Sequence, residues 1–179
     1  MALSSMEASR GTSSYQIGAL VLFVAVAAIL TALGFEHIGG YQPCPLCLQQ
    51  RWAYYAGIPA LFAALVLVAS QRPKAAAVLF FLVALAFLAN TGLGIYHSGV
   101  EWKFWEGPAG CSSTQALPGS VGDLMSGLSQ GGHIARCDDS AWRFLGLSFA
   151  GWNALISLAL FAGALKAASS AAMTRDSAR

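Results

Sequence analysis

Charged side chains interrupt the chain so sparsely that four long uncharged, mostly apolar stretches stand out: Gly11 to Phe35, Trp52 to Gln71, Ala75 to Val100 and Phe144 to Leu165. Each is long enough to cross a bilayer as a helix. A hydrocarbon core of roughly 30 Å takes about twenty helical residues at ~1.5 Å each, and inside it only helices or closed barrels satisfy their backbone polar groups. The stretches are too long and too uniformly apolar for barrel strands, which alternate over about ten residues. The pattern therefore predicts an all-α membrane protein, a bundle of four transmembrane helices in a single integral-membrane domain over residues 1–179. The expected spans are about residues 15–35, 52–71, 75–97 and 144–165, with outer loops of about 36–51 and 98–143.

Composition agrees: 56% hydrophobic against 10% charged residues lies well outside the range of ordinary soluble domains. Arg10 before an apolar run raises the alternative of a cleavable leader, but the run exceeds the usual core of such a leader. Its removal would also leave three spans and put one terminus on the opposite side. Basic residues orient the bundle. In a four-span arrangement Arg10, Arg72, Lys74, Lys166, Arg175 and Arg179 fall on one face, which is expected to be cytoplasmic together with both termini. The opposite loops carry more acidic than basic side chains, among them Glu36, Glu101, Glu106, Asp123, Asp138 and Asp139.

All four cysteines, Cys44, Cys47, Cys111 and Cys137, lie in those two outer loops, on the side where disulfides persist. The second loop is rich in Gly, Ser and Pro over residues 107–133. Within it Val121, Leu124, Met125 and Leu128 recur at helical spacing behind a capping box of Ser120 and Asp123, which predicts a short interfacial helix. The chain shows no internal repeat, phosphate-binding glycine loop, carboxylate dyad or Ser/His/Asp arrangement.

In "PCPLCLQQR", residues 43–51, the prolines flank Cys44, and Pro45 suits the first position of the second helix. Cys47 then falls in its first turn, where the helix N-terminus favours a thiolate. Arg51 follows four residues later on the same face, able to stabilise that thiolate and donate to a bound carbonyl, or simply to snorkel at the membrane boundary. A CxxC at a helix start is a structural disulfide, a metal half-site or a redox dithiol. Zinc needs four converging ligands, and the wide Cys111 to Cys137 separation does not supply a second half-site, so no metal is expected. Structural cross-links in loops would add little to a four-helix core. A disulfide in a flexible loop can instead reach a partner's thiol.

These features resemble the DsbB family of bacterial membrane proteins of disulfide bond formation. The resemblance runs through "FEHIGG", "PCPLCLQQR", "IYHSG", the Cys111 to Cys137 spacing and "CDDSAWRFLGLSFAGWN". It implies a quinone-dependent protein-disulfide oxidoreductase of the bacterial inner membrane. Such an enzyme reoxidises a periplasmic DsbA-like thioredoxin-fold partner and passes two electrons to ubiquinone or menaquinone. By the same resemblance, Cys111 forms the mixed disulfide with the partner and Cys137 is its disulfide mate. Cys44 receives electrons from the second loop. Cys47 is the thiolate facing the quinone, with Arg51 stabilising it and His97 near the quinone site. His97 reads equally as an interfacial histidine bonded locally, as do His37 and His133. Trp52, Trp102, Trp105 and Trp142 read as an aromatic belt.

Quinones dissolve in the bilayer, so a dithiol that delivers electrons to one belongs at the bilayer's edge. Three other readings compete: a paralogue serving one dedicated client, a vitamin K epoxide reductase-type enzyme, and a scaffold with two inert disulfides. The second places its quinone-proximal CxxC late in the chain, whereas here CxxC comes first.

Overall fold

The computed structural model describes residues 2–108, Cys137 and 142–174, with side chains from residue 13 onward. Four long helices dominate: α1 (Ala2–His37), α2 (Pro45–Ala69), α3 (Pro73–Glu101) and α4 (Phe149–Ala172). Each contains a segment long and apolar enough to cross a membrane, the first running from Ser13 to His37. The chain is thus a four-helix membrane bundle, as its hydropathy pattern predicts. The interfacial helix expected at Val121 to Leu128 lies outside the described residues.

Local chemistry sets the helix ends. Cys44, in extended conformation, caps α2, and Pro45 follows as its first residue. Between α2 and α3 the chain reverses through Gln71, at φ 58°, and Pro73 opens the next helix. The fourth helix begins at Phe149 and not at Phe144. Residues 143–148 are diverted into a two-residue antiparallel ribbon, β1 (Arg143–Phe144) and β2 (Leu147–Ser148). Leu145 and Gly146, at φ 52° and 82°, make the tight turn, whose paired positive dihedrals match the twist of a short hairpin. Ser148 then caps α4 by accepting the Gly151 N–H at 3.3 Å. At its far end α3 runs one turn beyond His97, to Glu101.

Packing explains how the bundle closes. Lipid tails are as apolar as leucine, so membrane helices associate by close van der Waals contact, which favours small residues at their interfaces. The buried side of α4 is built that way: Ala150, Gly151, Ala154, Ser157, Ala164, Ala167, Ala168 and Ala171, with Leu160 the one large member. Its principal neighbour is α3, and α1 packs on it as well. Phe80, Phe87, Leu61 and Leu160 fill the centre, while Leu20, Phe23, Phe62 and Val78 point outward, as lipid-facing side chains do. Where α3 meets α4, a Cβ on Gly94 would stand 3.0 Å from the Ala154 Cβ and 3.1 Å from its backbone. This up-and-down arrangement brings the end of α1, the start of α2, the end of α3 and the start of α4 to one end of the bundle.

That contact yields the first prediction. Gly94→Leu has no room at Ala154 and should destabilise the bundle by about 1–3 kcal/mol. Gly92→Ala, whose added methyl meets nothing within 4 Å, should change stability little. Thermal unfolding in detergent, followed by tryptophan fluorescence, checks both, and equal melting temperatures would refute the close approach.

Candidate functional site

The helix ends enclose a cleft of about 430 Å³ between α1, α2 and α4, with α3 closing its inner side. Ala28, Ile29, Ala32 and Ile156 form its apolar wall, and Cys44, Cys47, Gln50, Arg51 and His97 stand at its head. Aromatic rings cover the outer rim. Trp142 stacks on Phe149 at 4.9 Å and on Phe144 at 5.7 Å, and Phe35 meets Phe149 edge-on at 5.0 Å. Trp142 therefore belongs to this rim, whereas Trp52, Trp102 and Trp105 remain exposed as a boundary belt would be.

Cys44 is the centre of the site. Its sulfur accepts the Cys47 backbone N–H at 3.2 Å, the capping bond that α2 requires. It also lies 3.0 Å from the Cys47 sulfur, hydrogen-bonded to it, and 3.5 Å from His97 Nε2. With two further donors aimed at Cys44, the proton between the sulfurs belongs on Cys47. The Cys44 thiol is accordingly held well below the ordinary thiol range, at about 5. The Cys47 side chain is the largest cause and His97 adds to it, while burial acts in the opposite direction. Sequence reasoning placed the thiolate on Cys47 beside Arg51. In the structure the donors gather on Cys44, and the Arg51 guanidinium pairs with the Glu36 carboxylate at the end of α1.

Cys137 meets the first pair here. Cys137 is disulfide-bonded, and it is buried in one small apolar cluster with Cys44, Leu46 and Val100, against which Cys47 packs. Cys111 lies outside the described residues, as does His133. His37 bonds its own helix at the Leu33 carbonyl and takes no part.

Metal binding can be tested on distances. The Cys44, Cys47 and His97 donor atoms lie within 4.8 Å of one another. Two thiolates on a tetrahedral zinc, each ~2.3 Å from it, stand about 3.8 Å apart. The 3.0 Å separation of the sulfurs suits a dithiol poised for disulfide closure instead.

Several site residues escaped sequence reasoning. Gln50, Tyr54, Asn90, Asn153 and Ser157 form a continuous hydrogen-bonded chain through the bundle that ends on His97. Glu101 lies 3.9 Å from His97 Nε2 and accepts a hydrogen bond from the Ser148 hydroxyl. Their signal was present: uncharged polar side chains inside apolar spans are costly unless paired and mark functional interiors. Only spatial pairing, however, separates these from the polar residues at helix ends.

A model of the family described as "Disulfide bond formation protein DsbB" matches residues 14–167. A disulfide bond formation protein B of Methylococcus capsulatus is 34% identical over 151 residues, which cover 82% of this chain and 89% of that one. Its counterpart in Marinobacter nauticus is 32% identical over 158 residues, 84% of this chain and 91% of the relative. An uncharacterized protein of Rickettsia prowazekii is 30% identical over 148 residues, 82% and 83% of the two chains. No solved structure matches. With this family match spanning most of the bundle, the chain belongs to the DsbB family of disulfide bond formation proteins.

Proposed function

We propose that the protein is a quinone-dependent thiol oxidase that recharges a periplasmic DsbA-like thioredoxin-fold oxidant. It would act from the bacterial inner membrane, as one domain, with both termini in the cytoplasm. The observation that carries this reading is the position of Cys44. Its sulfur borders both a buried cluster containing the disulfide-bonded Cys137 and a cleft between membrane-spanning helices.

Two exchanges move the electrons. A thiolate of the reduced partner attacks Cys111 of a Cys111–Cys137 disulfide, and the partner's second thiol then closes its own disulfide and releases both cysteines as thiols. One thiol of the resulting dithiol attacks Cys44 of a Cys44–Cys47 disulfide, with Cys47 leaving and taking up a proton, and the other thiol then breaks this mixed disulfide, re-forming the Cys111–Cys137 bond and releasing Cys44 as a thiol. Each step conserves two electrons and two protons, because one disulfide forms as another breaks. The membrane quinone, when bound, supplies the final two-electron, two-proton acceptor.

The cleft fits such a group. Its apolar wall is built from helices long and apolar enough to span a membrane, and its polar head gathers Arg51 and His97 as the residues that would hold it. The Glu36 bond uses one donor of the Arg51 fork, leaving N–H groups for a carbonyl oxygen. His97 and the two sulfurs form a compact set through which a proton can pass between thiol and cleft. The aromatic rim would limit the access of water to the exchange. A partner as strongly oxidising as a DsbA-like protein also demands an external acceptor, since ordinary structural disulfides are too reducing to drive it.

Two predictions follow from these assignments. Purified protein should oxidise a reduced DsbA-like partner only when quinone is supplied, and Cys111→Ala should abolish capture of a partner lacking its resolving cysteine. Quinone-independent turnover would refute the acceptor, and capture by Cys111→Ala would move the entry point. Arg51→Ala should raise the apparent quinone KM about ten- to a hundredfold, the worth of a lost charged hydrogen bond, and Arg51→Lys should raise it less. Unchanged KM in both would reduce Arg51 to a tether for Glu36.

A further prediction concerns pH. A thiol that titrates near 5 is already thiolate at neutrality, so Cys44 alkylation in reduced protein should be flat from about pH 6 to 8 and fall below 5. An ordinary thiol would gain about tenfold per pH unit over that range. His97→Ala removes a donor to the anion and should move the midpoint upward, as mass spectrometry of the Cys44 peptide would record.

A further inference from the structure

A run of hydrogen bonds with a single direction crosses the bundle interior. Asn90 Nδ2 donates to Ser157 Oγ at 2.9 Å, and Ser157 Oγ lies 3.5 Å from the Tyr54 hydroxyl. The Tyr54 hydroxyl donates to Asn153 Oδ1 at 2.7 Å. Asn153 Nδ2 donates to Gln50 Oε1 at 2.6 Å, which leaves the Gln50 amide nitrogen facing His97 Nδ1 at 2.9 Å. An amide nitrogen only donates, so Nδ1 must accept. A neutral imidazole whose Nδ1 accepts carries its proton on Nε2, and Nε2 is the atom that faces Cys44.

We propose that Asn153 is a positioning residue of the thiol site: held by Tyr54, it orients the Gln50 amide so that His97 is locked as the Nε2–H tautomer that donates to the Cys44 sulfur. Neither Asn153 nor Tyr54 touches a sulfur, so their action runs through Gln50 and His97. A reversed Gln50 amide would present its oxygen to Nδ1, draw the proton there and leave Nε2 as a bare lone pair opposite an anionic sulfur. Asn153 prevents that reversal, because its N–H group satisfies the Gln50 oxygen on the far side. Burial makes the device firm. Gln50, Asn90, Ser157 and His97 are all buried, where a mispaired amide costs more than at an exposed site.

Other titratable groups face this site. On α2 the Cys47 sulfur shares the proton with Cys44. On α3 the Glu101 carboxylate stands 3.9 Å from Nε2, beyond hydrogen-bond distance, and it is itself bonded to Ser148 and influenced by Arg143. Arg51 and Glu36 neutralise each other across the cleft. Cys137 is tied in its disulfide and does not titrate. None of these groups contacts Nδ1, so the choice of tautomer falls to Gln50 and the residues behind it.

The inference rests on the reading of Cys44 as the redox thiol, and its test separates the two. Full-length reduced protein carrying 15N-histidine, with the His97 signals assigned by their loss in His97→Gln, reports which ring nitrogen bears the proton. At neutral pH the parent protein should show a protonated Nε2 and a bare Nδ1. In Asn153→Leu, similar in size but without donors, the Nδ1–H form should appear, and the midpoint of Cys44 alkylation should rise by about one pH unit. Tyr54→Phe, a milder change, should shift both readouts in the same direction by less. A parent His97 protonated on Nδ1, alone or as imidazolium, would overturn the proposal. So would an unchanged tautomer and midpoint in a folded Asn153→Leu or Tyr54→Phe protein. Retention of partner oxidation by Cys44→Ala would instead defeat the redox reading of Cys44 and leave the tautomer result standing.

Discussion

The sulfur of Cys44 closes the N-terminus of α2, and the rest of the site depends on that contact. A helix start leaves backbone N–H groups without partners, and in an apolar bundle no water relieves them. Serine or aspartate would ordinarily do the capping. Here a thiol does it, so the same atom that completes the helix is exposed to positive partial charge and becomes easily ionised. Structure and reactivity are one requirement at this position. Pro45, fixed in helical conformation and lacking an N–H, is the first residue of the helix and holds the cap in place.

The neighbouring helices bring the remaining partners by close packing. Small residues along α4 let it approach α3, and at Gly94 the two backbones are near contact with Ala154. That approach places Asn153, one residue before Ala154, within reach of Gln50 and Tyr54 on α2. His97, three residues after Gly94, reaches across to Gln50 and Cys44. A bulkier interface would separate these groups by more than a hydrogen bond. The polar chain in turn ties α2, α3 and α4 together by contacts worth roughly 0.5–2 kcal/mol each in a membrane setting. Packing and polarity thus support each other.

Much of this was readable in the sequence, for definite reasons. Uncharged runs of helical length report transmembrane helices directly, and Pro45 after Cys44 reports where α2 begins. The start of α4 was misread because residues 144–148 are as apolar as the helix that follows. Only the tight turn at Leu145 and Gly146, whose need for positive φ a leucine does not advertise, diverts them into a ribbon. Arg51 was readable as a cleft residue but not as the partner of Glu36, because that ion pair joins the end of α1 to α2 across a loop. The polar chain from Asn90 to His97 joins residues far apart in sequence, so no local period or motif carries it.

The pairing of Arg51 with Glu36 has a further consequence for the chemistry. A lone guanidinium beside the sulfurs would supply a full positive charge, at a steep desolvation cost within the membrane. Compensated by Glu36, it contributes donors more than net charge, and the Cys44 anion relies on a backbone N–H, a thiol and an imidazole N–H instead. All three donors stabilise the reduced state, because a disulfide sulfur has no charge for them to meet. Stabilising the reduced form makes the corresponding disulfide a stronger oxidant. The capped, hydrogen-bonded Cys44 would therefore bias electrons toward the CxxC pair and away from the Cys137 disulfide packed in the same cluster. On the proposed reading, a membrane-soluble acceptor would have to withdraw electrons against that same stabilisation, which would set how oxidising it has to be for the cycle to turn.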